Sequence, residues 1–124
     1  MGVRAGDVVV IDDDADWRDV VVQFLAESGF HAVGFADARD ALASLRGAGA
    51  LPAVILLDLE MPGMSGWEFR REQLRDPLLA RIPVVVASAA DPRRIDADAY
   101  LAKPYETDAL CRVLGALSTR ALVA

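Results

Sequence analysis

At 124 residues, 54% of them hydrophobic, the chain is long enough for a core of its own and too apolar for a disordered segment. Its net charge of -6 weighs against a nucleic-acid surface, and its single cysteine, Cys111, excludes an internal disulfide. No apolar run approaches the roughly 20 residues of a membrane span. One domain over 1–124, with a core of about 7–121, is expected, in the cytoplasm, touching neither membrane nor nucleic acid directly.

The run Val8-Val9-Val10-Ile11 predicts a first strand, ending on Asp12, Asp13 and Asp14. Asp14 is placed to cap a helix from about Ala15 to Ser28, whose Trp17, Val20, Val21, Phe24 and Leu25 recur at helical spacing. That periodicity assigns Trp17 to the core rather than to a stacking platform. Gly29 stops the helix, and Phe30 to Phe35 reads as a second strand. His31 has no nearby Cys or His partner and reads as an ordinary surface histidine, not a metal ligand. Asp37 caps a second helix, Ala38 to Arg46, with Ala41, Leu42 and Leu45 facing inward.

The unbroken apolar run Ala53 to Leu57 predicts a buried parallel strand. Aspartate is a poor strand residue, so Asp58 marks its carboxyl end, before a loop carrying Pro62, Gly63 and Gly66. A third helix follows from Gly66 to about Arg75. A fourth strand runs from Val84 to Ala87 and ends on Ser88. The fifth, Ala99 to Ala102, ends at Lys103-Pro104. Only residues 89–98 lie between these two strands, too few for a helix with its loops, and Pro92 and five charged residues crowd them. A loop, or one helical turn, is expected there. The last helix begins after the cap candidate Thr107, with Leu110, Val113, Leu114, Leu117 and Ala121 inward and Cys111 beside them in a structural role.

Strands alternating with helices predict a parallel sheet covered on both faces, of the flavodoxin-like order 2-1-3-4-5. In that order Asp12, Asp13 and Asp58 meet at one sheet edge, where their mutual repulsion calls for a counter-charge. Oxygen ligands suit a hard divalent cation such as Mg²⁺. Beside twelve arginines, Lys103 is the lone lysine, which suggests a place where a compact ammonium is wanted. With the Ser88 hydroxyl, these residues compose a site for phosphoryl transfer to an aspartate, Asp58 being the nucleophile.

Four segments in order, each at a strand end, carry a resemblance: Val-Ile-Asp-Asp-Asp at 10–14, Leu-Asp-Leu-Glu-Met-Pro-Gly-Met-Ser-Gly at 57–66, Ala-Ser-Ala at 87–89 and Tyr-Leu-Ala-Lys-Pro at 100–104. The chain resembles the receiver domains of two-component response regulators over nearly its whole length. The resemblance implies that Asp58 accepts phosphate from a histidine kinase or phosphotransfer protein. It implies that Asp13 binds Mg²⁺ directly, that Asp12 acts mostly through water, and that the Glu60 backbone carbonyl is a further ligand. It makes Lys103 an ion-pair partner of the phosphoryl group, Ser88 and Tyr100 the switch pair, Ala89 the small residue that leaves the phosphate accessible, and Pro104 a cis proline. The departure is the helix between the fourth and fifth strands, here reduced to a loop. Without it the usual symmetric dimer is not expected; a monomer is, or a dimer through another face such as the first helix.

Two other readings start from the same residues. In an aspartyl-nucleophile phosphohydrolase, Glu60 would be the second acid two residues after Asp58, but the Met61-Pro62-Gly63 turn and the lack of a cap domain oppose it. In a degenerate receiver that only binds proteins, the complete acidic set, Ser88 and Lys103 would have no use.

Overall fold

The computed structural model describes residues 2–89 and 95–123, with side chains described as far as Leu117. In chain order the elements are β1 (Val8–Ile11), α1 (Ala15–Glu27), β2 (Ala32–Phe35), α2 (Ala38–Arg46), β3 (Val54–Asp58), α3 (Gly66–Arg75), a 3-10 turn at Leu79–Arg81, β4 (Val84–Ser88), β5 (Ala99–Ala102) and α4 (Thr107–Val123). All strand pairs are parallel, and the sheet order is β2-β1-β3-β4-β5. The order expected from the sequence is the one found.

Alternation along the strands splits the core into two layers, because successive side chains leave a strand on opposite faces. Val9, Ile11, Ile55, Leu57, Val84 and Val86 face one way and pack with Ala41, Leu42 and Leu45 of α2 and Phe69 of α3. Val8, Val10, Val54, Leu56, Val85 and Ala87 face the other way and pack with Val21 and Leu25 of α1 and Leu110, Leu114 and Leu117 of α4. Every residue of β1, β3 and β4 is buried. Truncating one such leucine to alanine costs about 2–5 kcal/mol.

Helix starts follow the expected chemistry. Asp14 and Asp37 accept from the amides of Trp17 and Arg39, and Ser65 and Glu68 form a capping box at α3.

Several boundaries move. Helix α1 ends at Glu27, with Ser28 as its C-cap. Strand β2 begins at Ala32 rather than Phe30, because the Phe30 amide donates to the Leu25 carbonyl and so closes the helix end. Strand β4 extends through Ser88, paired with Ala102. Helix α4 starts at Thr107 itself, since the Glu106 carbonyl already accepts from Leu110. Within α1, Val20 is 52% exposed and off the inner face, which Val21 and Leu25 occupy. Ala121 lies beyond the described side chains. Ile95 to Asp98 carry no helix, while residues 90–94, on which the expected loop around Pro92 falls, lie outside the described residues.

His31 is exposed as expected, yet it is tied down. Its Nδ1 lies 2.7 Å from Asp7 and its Nε2 2.8 Å from an Arg4 guanidinium nitrogen. Arginine only donates, so Nε2 accepts and Nδ1 carries the proton toward Asp7.

Candidate functional site

The carboxyl ends of β1, β3, β4 and β5 converge on one edge of the sheet, and the candidate residues ride on them. Asp12 follows β1, Asp58 closes β3, Ser88 closes β4 and Lys103 follows β5. Asp12, Asp58 and Ser88 are buried, while Asp13 is exposed. Strand tips fix these groups more rigidly than loops would, and the Lys103 amide bonds the Ser88 carbonyl at 2.9 Å, tying two tips together.

One carboxylate oxygen from each of Asp12, Asp13 and Asp58 can be chosen so that all three lie within 4.8 Å of one another. Three anions that close repel strongly. The Lys103 Nζ stands against them, 2.8 Å from Asp12 Oδ2 and 3.5 Å from Asp58 Oδ1. One ammonium balances one charge and leaves a surplus of two. A divalent cation matches that surplus, the all-oxygen donor set suits a hard ion such as Mg²⁺, and the exposed side at Asp13 leaves room for bound water. The residues therefore fit the ion.

Asp12 has both oxygens engaged, Oδ2 by Lys103 and Oδ1 by the Asp14 amide at 3.0 Å. Its backbone carbonyl accepts from Arg18 Nη1 at 2.8 Å. Burial raises the Asp58 pKa to about 6; Lys103 counteracts this, and the neighbouring charges of Asp12 and Asp13 reinforce it. Burial by itself would lower the Lys103 pKa, but the hydrogen bond to Asp12 and the charges of Asp58 and Asp12 outweigh it, and the value ends above that of an ordinary lysine. The ammonium is fully charged at neutral pH, and Asp58 is mostly ionised.

The loop after β3 is shaped by glycine. Gly63 holds a φ of 75°, where a side chain is strained. Gly66 opens α3 so close to β3 that a β-carbon there would collide with the Asp58 carbonyl oxygen and fall 2.7 Å from the Leu59 α-carbon. Its amide donates to the Leu59 carbonyl at 2.8 Å. The sequence marked Gly66 as a loop glycine and the start of the third helix, not as a point of close contact with β3.

Ala89 is exposed beside the site, and the Lys103-Pro104 bond is cis. Glu60 is exposed in the loop after Asp58. Tyr100 is 36% exposed; its hydroxyl donates to the Ile95 carbonyl at 2.7 Å and accepts the Ala97 amide at 3.1 Å.

Two residues of the site's surroundings escaped the sequence reading. Tyr105 packs edge-on against Trp17, with ring centroids 5.4 Å apart and planes at 74°, and accepts from Trp17 Nε1 at 3.3 Å. Trp17 is thus half in the core and half a wall, lining a shallow cavity of about 260 Å³ with Ala89, Lys103 and Pro104. Arg18 is the other; Gly34 leaves room for it, since a β-carbon there would lie 3.1 Å from Arg18 Cδ.

Residues 8–115 match the family model described as the response regulator receiver domain. The alkaline phosphatase synthesis transcriptional regulatory protein SphR of Synechococcus elongatus is 34% identical, over 89% of this chain and 49% of that protein. The chain thus spans about half the length of this relative. A CheY-like response regulator receiver domain protein from Methanospirillum hungatei superposes with a TM-score of 0.83 at 28% identity, covering 96% of this chain and 98% of that one. The response regulator protein TrrA from Thermotoga maritima, in complex with Mg(2+)-BeF, gives a TM-score of 0.78 at 25% identity, covering 90% and 98%.

Proposed function

We propose a phosphoacceptor role for Asp58, from the premise that the chain belongs to the response regulator receiver domain family. The observation that carries it is the position of Asp58 at the tip of β3, grouped with Asp12 and Asp13 and 3.5 Å from Lys103. The donor is a phosphohistidine of a histidine kinase or phosphotransfer protein. An Asp58 carboxylate oxygen attacks phosphorus, a P–O bond forms as the P–N bond to the donor imidazole breaks, and that nitrogen keeps the electron pair.

Asp13, Asp58 and the Glu60 carbonyl would hold a Mg²⁺ ion, which would supply positive charge to the phosphoryl oxygens. Asp12, with both oxygens engaged in this structure, would act through water. Lys103 pairs with the phosphoryl group, its charge guaranteed by the raised pKa. Ser88 turns its hydroxyl toward a phosphoryl oxygen, and Tyr100 rotates inward behind it. Ala89, small and exposed, leaves the group open to its donor.

The chain performs no other catalysis than self-phosphorylation from small donors and loss of its own phosphate, and it works as a cytoplasmic monomer. Incubation with a small phosphodonor and Mg²⁺, followed by mass spectrometry, should add one acid-labile phosphate to the parent and none to Asp58→Asn. Equal labelling of both would overturn the assignment, and turnover of a phosphate ester would favour a hydrolase instead.

A further inference from the structure

Residues 95–98, just before β5, are tied down from two directions. From β5, the Tyr100 hydroxyl holds the Ile95 carbonyl and the Ala97 amide. From α3, Arg70 Nε donates to the Asp96 carbonyl at 2.9 Å. Three consecutive residues are thus held by two side chains, and Ile95 is itself buried in the core layer that contains Phe69. Asp98 closes the segment, its carboxylate accepting from the Val84 amide at 2.8 Å.

Arg70 is not a surface arginine that happens to reach. It is 9% exposed, and its Nη1 donates to Gln73 Oε1 at 2.8 Å. Gln73 is fully buried, and its amide donates to the carbonyls of Leu79 and Ile82 at 2.9 and 3.1 Å. Moving the guanidinium would leave buried polar groups without partners, so the network fixes where Arg70 Nε points.

We infer that Arg70 is a positioning residue, which holds residues 95–98 in the arrangement that keeps Tyr100 outward and thereby sets the balance between the resting and phosphorylated forms of the Asp58 site. The inference rests on the phosphoacceptor reading. Inward rotation of Tyr100 withdraws its hydroxyl from Ile95 and Ala97. The Asp96 carbonyl lies between those two residues, so the segment can follow the change only by giving up Arg70. A bond made in one of two states biases the equilibrium toward that state by its full difference in free energy. Arg70 is therefore a brake on the switch, applied from the helix that begins just after the Asp58 loop.

Beryllofluoride with Mg²⁺ is the probe, titrated against the parent and Arg70→Met. The variant should bind beryllofluoride about fivefold tighter or more, with Mg²⁺ affinity unchanged. A merely structural role would lower the melting temperature and leave beryllofluoride affinity equal or weaker, and that result overturns the brake. The parent supplies a second measurement that needs no variant. Its Arg70 Nε–H resonance should be protected from solvent exchange at rest and lose that protection when beryllofluoride binds; protection retained in the bound form also overturns the brake. If the parent itself takes up no beryllofluoride, the phosphoacceptor reading fails and the brake fails with it.

Discussion

Lys103 is hydrogen-bonded to Asp12 at 2.8 Å and only ion-paired with Asp58 at 3.5 Å. The ammonium rests on Asp12 rather than on Asp58. Under the proposed phosphoacceptor role, this leaves Asp58 free to attack and gives the lysine a short way to travel once a phosphoryl group arrives.

Removal of that ammonium should therefore slow phosphoryl uptake without abolishing metal binding. Lys103→Ala is expected to lower the rate with a small phosphodonor by about tenfold or more. Lys103→Arg should recover little, because a planar fork cannot stand where a compact ammonium reaches two carboxylates. Rapid-quench labelling at saturating Mg²⁺ reads the difference, and an arginine variant as fast as the parent would show that charge alone suffices.

Asp58 should make the metal-free protein less stable as pH rises. Its pKa is about 6 in the folded chain against an ordinary value of 3.8, so the folded form binds more protons through that window. Stability falls as pH rises from about 4 to 6 and stays lower above it. Asp58→Asn does not titrate, and without Mg²⁺ it should exceed the parent by about 1–3 kcal/mol at pH 7.5, with the gain disappearing near pH 4. Urea unfolding at the two pH values checks it.

Mg²⁺ should offset that penalty. At 100 times its dissociation constant it should add about 2.7 kcal/mol and raise the melting temperature, and Asp13→Ala should remove most of the rise. Below pH 6 the apparent affinity should weaken toward tenfold per unit as Asp58 takes up its proton. A melting temperature indifferent to high millimolar Mg²⁺ would count against the ion.

Gly66→Ala tests the close approach of α3 to β3. The added methyl would meet main-chain atoms of Asp58 and Leu59, which cannot yield as a side chain could. A loss of about 1–3 kcal/mol is expected, with slower labelling of Asp58 because its peptide must shift. A variant as stable and as quickly labelled as the parent would show that the loop absorbs the strain.

The strands, their order and the four strand-tip residues were legible because each signal is local: an apolar run, then a carboxylate, a serine or a lysine. Their meeting followed from topology. What was not legible depends on which way a side chain turns. Helical spacing put Val20 inside, yet only Val21 and Leu25 of its stripe are fully covered. No acidic partner near Arg70 in sequence announces that it will be buried, because its partners are the Asp96 carbonyl and the Gln73 side chain, which carry no complementary charge. Tyr105 was overlooked because its partner, Trp17, lies 88 residues away.

The division of the core into two layers has a consequence for how such a domain can diversify. The candidate site sits on strand tips that belong to the sheet and to neither set of helices alone. Helix α1 stands at the mouth of the site through Trp17, and its outward positions Asp16, Asp19, Val20, Gln23 and Glu27 contribute nothing to either layer. If Asp58 accepts phosphate as proposed, those positions can be rewritten without touching that reaction. The outward face of the helix and the strand-tip chemistry can then change as separate traits, so that copies of one scaffold can diverge on the surface while keeping the same site.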